Sequence, residues 1–564
     1  MSDNGNYPDV NPLDWETVQP YVDQLLAEPL GADSVEPWLK KWSGLVSVID
    51  ETEAQIYRDV TENTADEAAE ERFKQYIEVI LPQTSIANQA LKQKLLSVED
   101  YEPTGETAVL MQRFQTEADI FHEDNVPIES KLEMLGNDYN KIVGAMNIEW
   151  QGETETLPQA MQHLESRDRQ TRKAVWRLIM ERYLQDRDRL NELYLEMLPL
   201  RRQIAPTAGL SDFRAYRWQK LSRFDYTPED CFTFHDAIEH EVVPLASELY
   251  RELAGQLQID QVRPWDTQVD PYGEPLHPFE DVAQLEAGAQ RIFDNLDPVL
   301  GGYFAVMRDG YLDLESRPNK APGGYCNEFP VSGKPYIFMN AVGTHQNVST
   351  LLHEGGHAFH VMESQHQPLI WNHNAQMEFC EVASMSMELL TAPYWRKEQG
   401  GFYQEADARR AQAQELKQTV FFLPYMAVVD AFQHWVYVDA PESVSSDELD
   451  AKWSDLLDRF MPGVDYSGFQ AEKETGWHRK GHIFGVPFYY VEYGLAQLGA
   501  LQVWRNALQD QSKAIADYRA ALALGYTRSL PELFQVAGAT FAFDRQIVGE
   551  LMTLIRDQLA LLET

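Results

Sequence analysis

Residues 353–360 read His-Glu-Gly-Gly-His-Ala-Phe-His, and this HExxH motif is the most informative stretch of the sequence. On a helix, His353 and His357 lie one turn apart on the same face, so both imidazoles can bind one metal ion. The carboxylate of Glu354 then lies beside them, where it can take a proton from a water molecule on the metal. The flanking residues are mostly apolar, which predicts a buried helix. The motif therefore predicts a metal centre on a helix of the core.

Two adjacent glycines, Gly355 and Gly356, lie inside this predicted helix. Each costs about 1 kcal/mol in a helix interior relative to alanine. We therefore expect another part of the chain to approach the helix backbone closely at these positions.

The third metal ligand has to come from elsewhere in the sequence. A metzincin would need Gly at position 360 and His at position 363, but these positions hold His360 and Glu363, so that class is excluded. The alternative is a carboxylate from a second helix, and residues 377–390 supply Glu381 and Glu388. These two are seven residues apart and share a helical face. One of them is predicted to bind the metal and the other to hold a ligand imidazole.

Three further polar residues near the motif receive other interpretations. His360 follows His357 by three residues and is predicted to be a core histidine rather than a fourth ligand, because a catalytic zinc keeps one position open. Glu363 and Glu378 are predicted to be solvated or structural.

The segments HEGGHAFH and FCEVASMSMELL together resemble the thimet oligopeptidase and oligoendopeptidase F family of zinc metallopeptidases, closest to the oligoendopeptidase F branch. The resemblance implies one Zn²⁺ per chain, bound by His353, His357 and Glu381, with Glu354 as the general base. Glu388 matches the second glutamate of the family's second helix, and Gly356 matches its motif glycine.

A glycine-rich segment just before the motif also matches the family. Residues 320–330 resemble its glycine-rich strand, and residues 335–340 resemble the strand that follows. The strand edge at Gly323, Gly324 and Tyr325 is predicted to pair with the substrate backbone, which fixes a peptide without reading its side chains.

A second matching cluster lies at residues 481–494. In the family, a His and several Tyr of this region face the zinc and stabilise the tetrahedral intermediate, which implies catalytic roles for His482, Tyr490 and Tyr493. Tyr489 is the alternative to these tyrosines and a predicted substrate contact. The competing interpretation is that the three tyrosines are core aromatics.

Composition restricts the partners and the compartment. The formal charge of −42 argues against nucleic acid, because phosphate would repel so acidic a chain. No segment reaches the roughly 18 continuous apolar residues of a membrane helix, so no membrane contact is expected. The first residues lack a basic start and an apolar core, so we expect no signal peptide. Three scattered cysteines form no disulfide framework and fit a reducing cytoplasm.

Apolar residues at helical spacing predict a mainly α fold with long helices, including residues 494–524 as one helix. Strand signals are confined to about 303–340, which predicts a small sheet directly before the HExxH helix. A boundary near 200–210 is predicted to separate a helical N-terminal region, 1–204, from a catalytic region, 205–564. The resemblance implies a large helical body with a deep channel for short unstructured peptides.

The sequence thus predicts a cytoplasmic zinc endopeptidase that hydrolyses internal bonds of short peptides. One alternative is a zinc carboxypeptidase of related helical fold, which also carries an HExGH motif followed by a glutamate helix. The other is a helical peptide-binding protein with a structural zinc, although such sites normally have four protein ligands. Oligomeric state stays open.

Overall fold

Helices form most of the chain in the computed structural model, which describes residues 7, 9–317, 319–321 and 323–562. The mainly α class is therefore confirmed. Among the described residues, the strands form one two-stranded and one three-stranded sheet: β1 (Asn147–Trp150), β2 (Glu153–Thr156), β3 (Leu312–Glu315), β4 (Tyr325–Phe329) and β5 (Lys334–Ala341).

The first helices bury their apolar faces in a cluster of their own, built from residues between Val18 and Phe114 together with Leu369. A π-helical turn at residues 76–80 joins the third helix to the fourth, so residues 67–96 run as one helical stretch. The helices of this part are α1 (Trp15–Ala27), α2 (Val35–Glu62), α3 (Glu67–Gln75), α4 (Leu81–Leu96), α5 (Gly105–Ile120) and α6 (Val126–Gly144).

The middle of the chain continues with helices that pack into a second and much larger apolar cluster, which runs from Ile120 to Leu559. They are α7 (Leu157–Gln162), α8 (Arg169–Gln185), α9 (Arg187–Thr207), α10 (Phe213–Lys220), α11 (Pro228–Ala237), α12 (Val243–Leu257), α13 (Val282–Leu296) and α14 (Pro298–Met307).

The helices after the second sheet complete this cluster. They are α15 (His345–Ser364), α16 (Met377–Thr391), α17 (Glu405–His434), α18 (Ser446–Phe460), α19 (Gln470–Glu474), α20 (Gly481–Gly485), α21 (Tyr490–Ala507), α22 (Gln511–Leu522), α23 (Leu530–Val536) and α24 (Arg545–Leu562). Among the described residues, no helix combines the length and hydrophobicity that a bilayer crossing requires.

The three-stranded sheet positions the HExxH helix. Strand β5 is central, pairs in parallel with β3 and antiparallel with β4, and leaves β4 as an edge strand. The chain passes from β5 through Thr344 directly into α15. The predicted sheet before the active-site helix is therefore confirmed.

Three details of the prediction are wrong. Strands are not confined to residues 303–340, because β1 and β2 form a hairpin at 147–156, and residues 298–307 form α14. The segment 494–524 is not one helix, because α21 ends at Ala507 and Asp510 caps the start of α22.

The proposed division of 1–204 from 205–564 falls inside α9, which spans residues 187–207. The two large apolar clusters separate earlier, between Phe114 and Ile120. The division at residue 204 thus remains a proposal. The boundary between the two apolar clusters lies about 90 residues earlier in the chain.

Candidate metal and catalytic site

The HExxH motif lies in the middle of α15. The helix begins after Thr344, whose backbone N–H donates to Asn347 Oδ1 at 3.1 Å. Its apolar residues bury one face, while His353 and His357 lie one turn apart with ring centroids 5.1 Å from each other. The local sequence therefore forms the helix that the spacing of the two histidines requires.

The two glycines explain how a second helix approaches this motif. A Cβ atom added at Gly356 would lie 2.5 Å from the backbone oxygen of Ala383 on α16, and one added at Gly355 would lie 2.8 Å from the ring of Phe293. The expected close approach is confirmed. It brings Glu381, two residues before Ala383, beside the histidines.

The three predicted ligands converge. Oε2 of Glu381 lies 3.4 Å from Nε2 of His353 and 3.5 Å from Nε2 of His357. The two imidazole side chains are 21 % and 20 % exposed, against 4 % for the glutamate, so the histidines reach solvent and the carboxylate is buried.

This donor set fits a zinc ion. One ligand atom of each residue lies within 4.8 Å of the others, and Zn–N and Zn–O bonds are about 2 Å long. Two imidazoles with one carboxylate leave a tetrahedral position free for water or substrate. Burial opposes ionisation of Glu381, but the two imidazoles outweigh it and hold the pKa of its carboxyl well below its usual range.

Glu388 and Ser384 orient the ligands. Oε1 of Glu388 lies 2.6 Å from Nδ1 of His353, and Oγ of Ser384 donates to Oε2 of Glu381 at 2.9 Å. The position of Glu388 agrees with the predicted partner of a ligand imidazole. Ser384 was missed from the sequence, although it occupies the serine position of the family's second-helix pattern.

Glu354 is buried beside the ligands, and its Oε2 has no hydrogen-bond partner among the described residues. Burial raises the pKa of its carboxyl above the usual range, and the two histidines act in the opposite direction. A Cβ atom at Gly324 would lie 3.5 Å from Glu354 Oε1. The carboxyl therefore faces the glycine-rich segment before β4.

That segment is the predicted substrate edge. Tyr325 begins β4 and pairs with Phe338 of β5, which leaves the other side of β4 unpaired within the sheet. Its hydroxyl lies 2.7 Å from Thr61 Oγ1 of α2, and Asn340 Nδ2 donates to the oxygen of Gly323 at 3.1 Å. The start of the strand is thus held by two contacts, while its outer edge stays free of sheet partners.

The C-terminal cluster contacts the same site. Tyr489 donates its hydroxyl to Oε1 of Glu381 at 2.8 Å, and the hydroxyl of Tyr493 lies 3.4 Å from Nε2 of His482. Tyr490 is buried, and its hydroxyl accepts from Lys480 at 3.0 Å. Burial, with Lys480 as a second cause, lowers the pKa of His482 to about 4. Tyr489 therefore touches a predicted ligand directly, whereas the hydroxyl of Tyr490 is engaged by a lysine.

The other motif residues are structural. His360 is buried, neither ring nitrogen has a hydrogen-bond partner among the described residues, and burial lowers its pKa to about 3. Glu378 accepts from Tyr226 at 2.5 Å, and Glu363 accepts from Arg519 at 2.7 Å. Both glutamates are held by partners and neither is freely solvated.

The chain is similar to known peptidases in sequence and in fold. Residues 162–553 match peptidase family M3. The chain is 22 % identical over 261 residues to an oligoendopeptidase F homolog of Borreliella burgdorferi, and 24 % identical over 262 residues to oligopeptidase PepF of Bacillus subtilis. These matches cover 45 % of this chain in both cases, and 43 % and 38 % of the two relatives.

The similarity to a solved structure extends over nearly the whole chain. The structure of PZ peptidase A with inhibitor 2 superposes with a TM-score of 0.92 at 27 % identity, over 98 % of each chain. The family match covers most of the sequence and includes both the HExxH helix and the C-terminal cluster. The chain belongs to peptidase family M3, in its oligoendopeptidase F branch.

Proposed function

We propose that this chain is a zinc-dependent endopeptidase that hydrolyses internal bonds of short unstructured peptides. The main observation behind the proposal is geometric. The ligand atoms of His353, His357 and Glu381 lie within 4.8 Å of one another, and Oε2 of Glu354, buried beside them, has no hydrogen-bond partner among the described residues. Membership of family M3 and the names of the relatives support peptide hydrolysis. A cytoplasmic location and a deep channel that admits flexible peptides belong to the same proposal.

A zinc ion held by His353, His357 and Glu381 would supply Lewis acidity, which lowers the pKa of water and polarises a carbonyl. Glu354 is the proposed general base. Its raised pKa brings it nearer to neutrality, where a carboxylate can accept a proton from the attacking water and later deliver it to the leaving amine.

The remaining groups position the peptide and stabilise developing charge. The free edge of β4 at Gly323, Gly324 and Tyr325 is proposed to pair with the substrate backbone. His482 is neutral at physiological pH, so its ring N–H and the hydroxyl of Tyr493 can donate to the oxyanion, and Tyr489 can do so when its hydroxyl hydrogen turns away from Glu381. Such donors contribute about 3 kcal/mol each in comparable sites.

The decisive experiment uses an internally quenched peptide blocked at both ends, with products identified by mass. We expect internal cleavage that chelation abolishes and added Zn²⁺ restores. Release of single residues only from peptides with a free carboxyl end would instead favour the carboxypeptidase. Retained zinc and peptide binding without any cleavage would favour the binding protein.

A further inference from the structure

A second group of metal-binding side chains lies outside the peptidase site. Cys231 and His235 are one turn apart on α11, and Asp430 and His434 are one turn apart on α17. Residues four apart share a helical face, and the two helices pack against each other. Four side chains of the types that bind transition metals therefore face one another across a helix pair.

The four side chains lie close together. Nε2 of His235 is 2.9 Å from Oδ2 of Asp430, and Nε2 of His434 is 3.3 Å from the same oxygen. The sulfur of Cys231, a carboxylate oxygen of Asp430 and a nitrogen of His434 all lie within 4.8 Å of one another. These three atoms satisfy the same limit as His353, His357 and Glu381, and His235 joins them through its contact with Asp430.

The cluster is buried and incompletely satisfied. Each of the four residues is less than 5 % exposed. Oδ1 of Asp430 and Nε2 of His434 have no hydrogen-bond partner among the described residues. Oδ2 of Asp430 is paired with His235, but the buried Oδ1 and the buried Nε2 of His434 are each costly without a partner, and a cation between them would satisfy both atoms at once.

We propose that Cys231, His235, Asp430 and His434 bind a second Zn²⁺, which is structural and separate from the catalytic ion. A thiolate, a carboxylate and two neutral imidazoles carry a charge of −2, so the buried site becomes neutral when Zn²⁺ binds. Three of the ligand atoms already lie within reach of one ion, and His235 completes the tetrahedron by turning its Nε2 from Asp430 to the ion, which leaves no position for substrate water. A thiolate among imidazoles also favours zinc over Mg²⁺ or Ca²⁺.

Binding changes two local contacts. Burial and Asp430 raise the pKa of the Cys231 thiol well above its usual range, so zinc must displace a proton there. Nη1 of Arg214 lies 3.3 Å from Nδ1 of His434. With zinc on Nε2, Nδ1 carries a hydrogen, and the half-buried Arg214 has to move away.

The site lies directly behind the C-terminal catalytic cluster. The ring of His434 packs edge-on against Phe488 with centroids 5.3 Å apart, and the neighbouring Gln433 accepts from the backbone N–H of Phe488 at 2.7 Å. Phe488 has a φ of 66°, a conformation that a bulky residue adopts only when its surroundings hold it. Phe488 directly precedes Tyr489, so a zinc ion on His434 would hold the backbone that positions Tyr489 against Glu381.

Cobalt substitution tests the proposal without relying on activity. The full chain is stripped with a chelator and reloaded with Co²⁺. The catalytic ligands offer only nitrogen and oxygen, so a thiolate-to-cobalt charge-transfer band reports the second site alone. We expect two cobalt ions per chain and this band in the parent protein.

Matched cysteine variants complete the test. Cys231→Ser should lose the band and one metal equivalent, whereas Cys380→Ser, which changes another buried cysteine, should keep both. If Cys231→Ser does not fold, the His353→Ala/His357→Ala variant replaces it and should retain one cobalt ion with the band. A parent that binds one ion without the band, or a band that survives in Cys231→Ser, would overturn the proposal.

Discussion

Nδ1 of His353 donates a 2.6 Å hydrogen bond to Oε1 of Glu388, seven residues beyond Glu381 on the same helix. This contact fixes the tautomer of the imidazole, because the hydrogen on Nδ1 leaves the lone pair on Nε2. Nε2 is the atom that faces Glu381 at 3.4 Å. One face of α16 therefore supplies both a ligand and the residue that orients its neighbour.

Removing the two glutamates should have different consequences for zinc. We expect Glu381→Ala to lose one zinc equivalent on dialysis, because a direct ligand is gone. Glu388→Ala should weaken the affinity by roughly 10- to 100-fold, because His353 is less well oriented. Metal analysis across a series of chelator concentrations measures both effects.

The matched control is Glu363→Ala on α15, whose carboxylate pairs with Arg519 and touches neither histidine ligand. Its zinc affinity should equal that of the parent. Full occupancy in Glu381→Ala together with an empty catalytic site in Glu388→Ala would exchange the two assigned roles.

Glu354→Gln should keep the catalytic zinc and lose turnover. The amide preserves size and polarity but cannot accept the proton of the attacking water, so we expect kcat to fall by at least 10²- to 10⁴-fold. Hydrolysis of a quenched peptide and metal content are measured on the same sample, with Glu363→Gln as the control on the same helix. Turnover within tenfold of the parent would exclude Glu354 as the base.

The three Tyr→Phe variants of the C-terminal cluster should differ in kcat, according to the group that each hydroxyl contacts. Tyr489→Phe and Tyr493→Phe each delete a hydroxyl beside Glu381 or His482, so kcat should fall about a hundredfold with little change in KM. Tyr490→Phe should lose less, because its buried hydroxyl contacts Lys480 rather than Glu381 or His482. Tyr425→Phe, whose ring neighbours Tyr490, is the control. Normal turnover in the three cluster variants and in His482→Ala would remove the oxyanion assignment.

The sequence is sufficient to propose the metal centre because its predicted ligands lie in two short helical segments. Helical periodicity puts the two histidines on one face of α15 and the two glutamates on one face of α16. These faces meet when the two helices pack. The sequence does not decide which of Tyr489, Tyr490 and Tyr493 faces the metal site. That choice depends on the rotation of α21 about its axis, and a shift of one residue turns a helical side chain by about 100°.

The hairpin and the helix break that were not predicted have only weak signals in the local sequence. The hairpin of β1 and β2 turns at Gln151 and Gly152, both at positive φ. Its apolar alternation is limited to Ile148 and Trp150 of β1, and β2 consists only of Glu and Thr. The break between α21 and α22 is marked only by Asp510, whose side chain accepts from the backbone of Lys513. Leu508 and Ile515 are seven residues apart and therefore share a helical face across the break, which explains the wrong prediction of one helix.

Gly356→Ala should damage the metal site through packing alone. The added methyl group would lie 2.5 Å from the oxygen of Ala383 and 2.6 Å from Cα of Ser384, and this backbone cannot rotate away. We expect α16 to be displaced, zinc affinity to fall and stability to drop by at least about 1–3 kcal/mol. Gly302→Ala in α14 is the control.

At Gly302 a Cβ atom would meet nothing within 4 Å. That substitution should be neutral or stabilise the helix by up to about 1 kcal/mol. Melting temperature and zinc content compare the two variants. Equal behaviour of Gly356→Ala and Gly302→Ala would show that the contact between α15 and α16 does not depend on the glycine.

Buried His478 should make stability sensitive to mild acid. Burial, with Arg479 and Arg187 as further causes, lowers its pKa from 6.5 to about 3. The unfolded chain therefore binds more protons than the folded chain between pH 6.5 and pH 3, so stability falls as the pH drops through this window. Between pH 7 and pH 5 the loss from this one group is about 2 kcal/mol.

His478→Gln removes the titration but keeps a donor for Asn191 Oδ1, which Nε2 of His478 contacts at 2.7 Å. We expect the melting temperature of the variant to fall less than that of the parent between pH 7 and pH 5, whatever its value at pH 7. His366→Gln, at an exposed position, should follow the parent curve. Parallel curves for the parent and His478→Gln would mean that this histidine binds its proton equally in both states, and that other groups cause any loss of stability in acid.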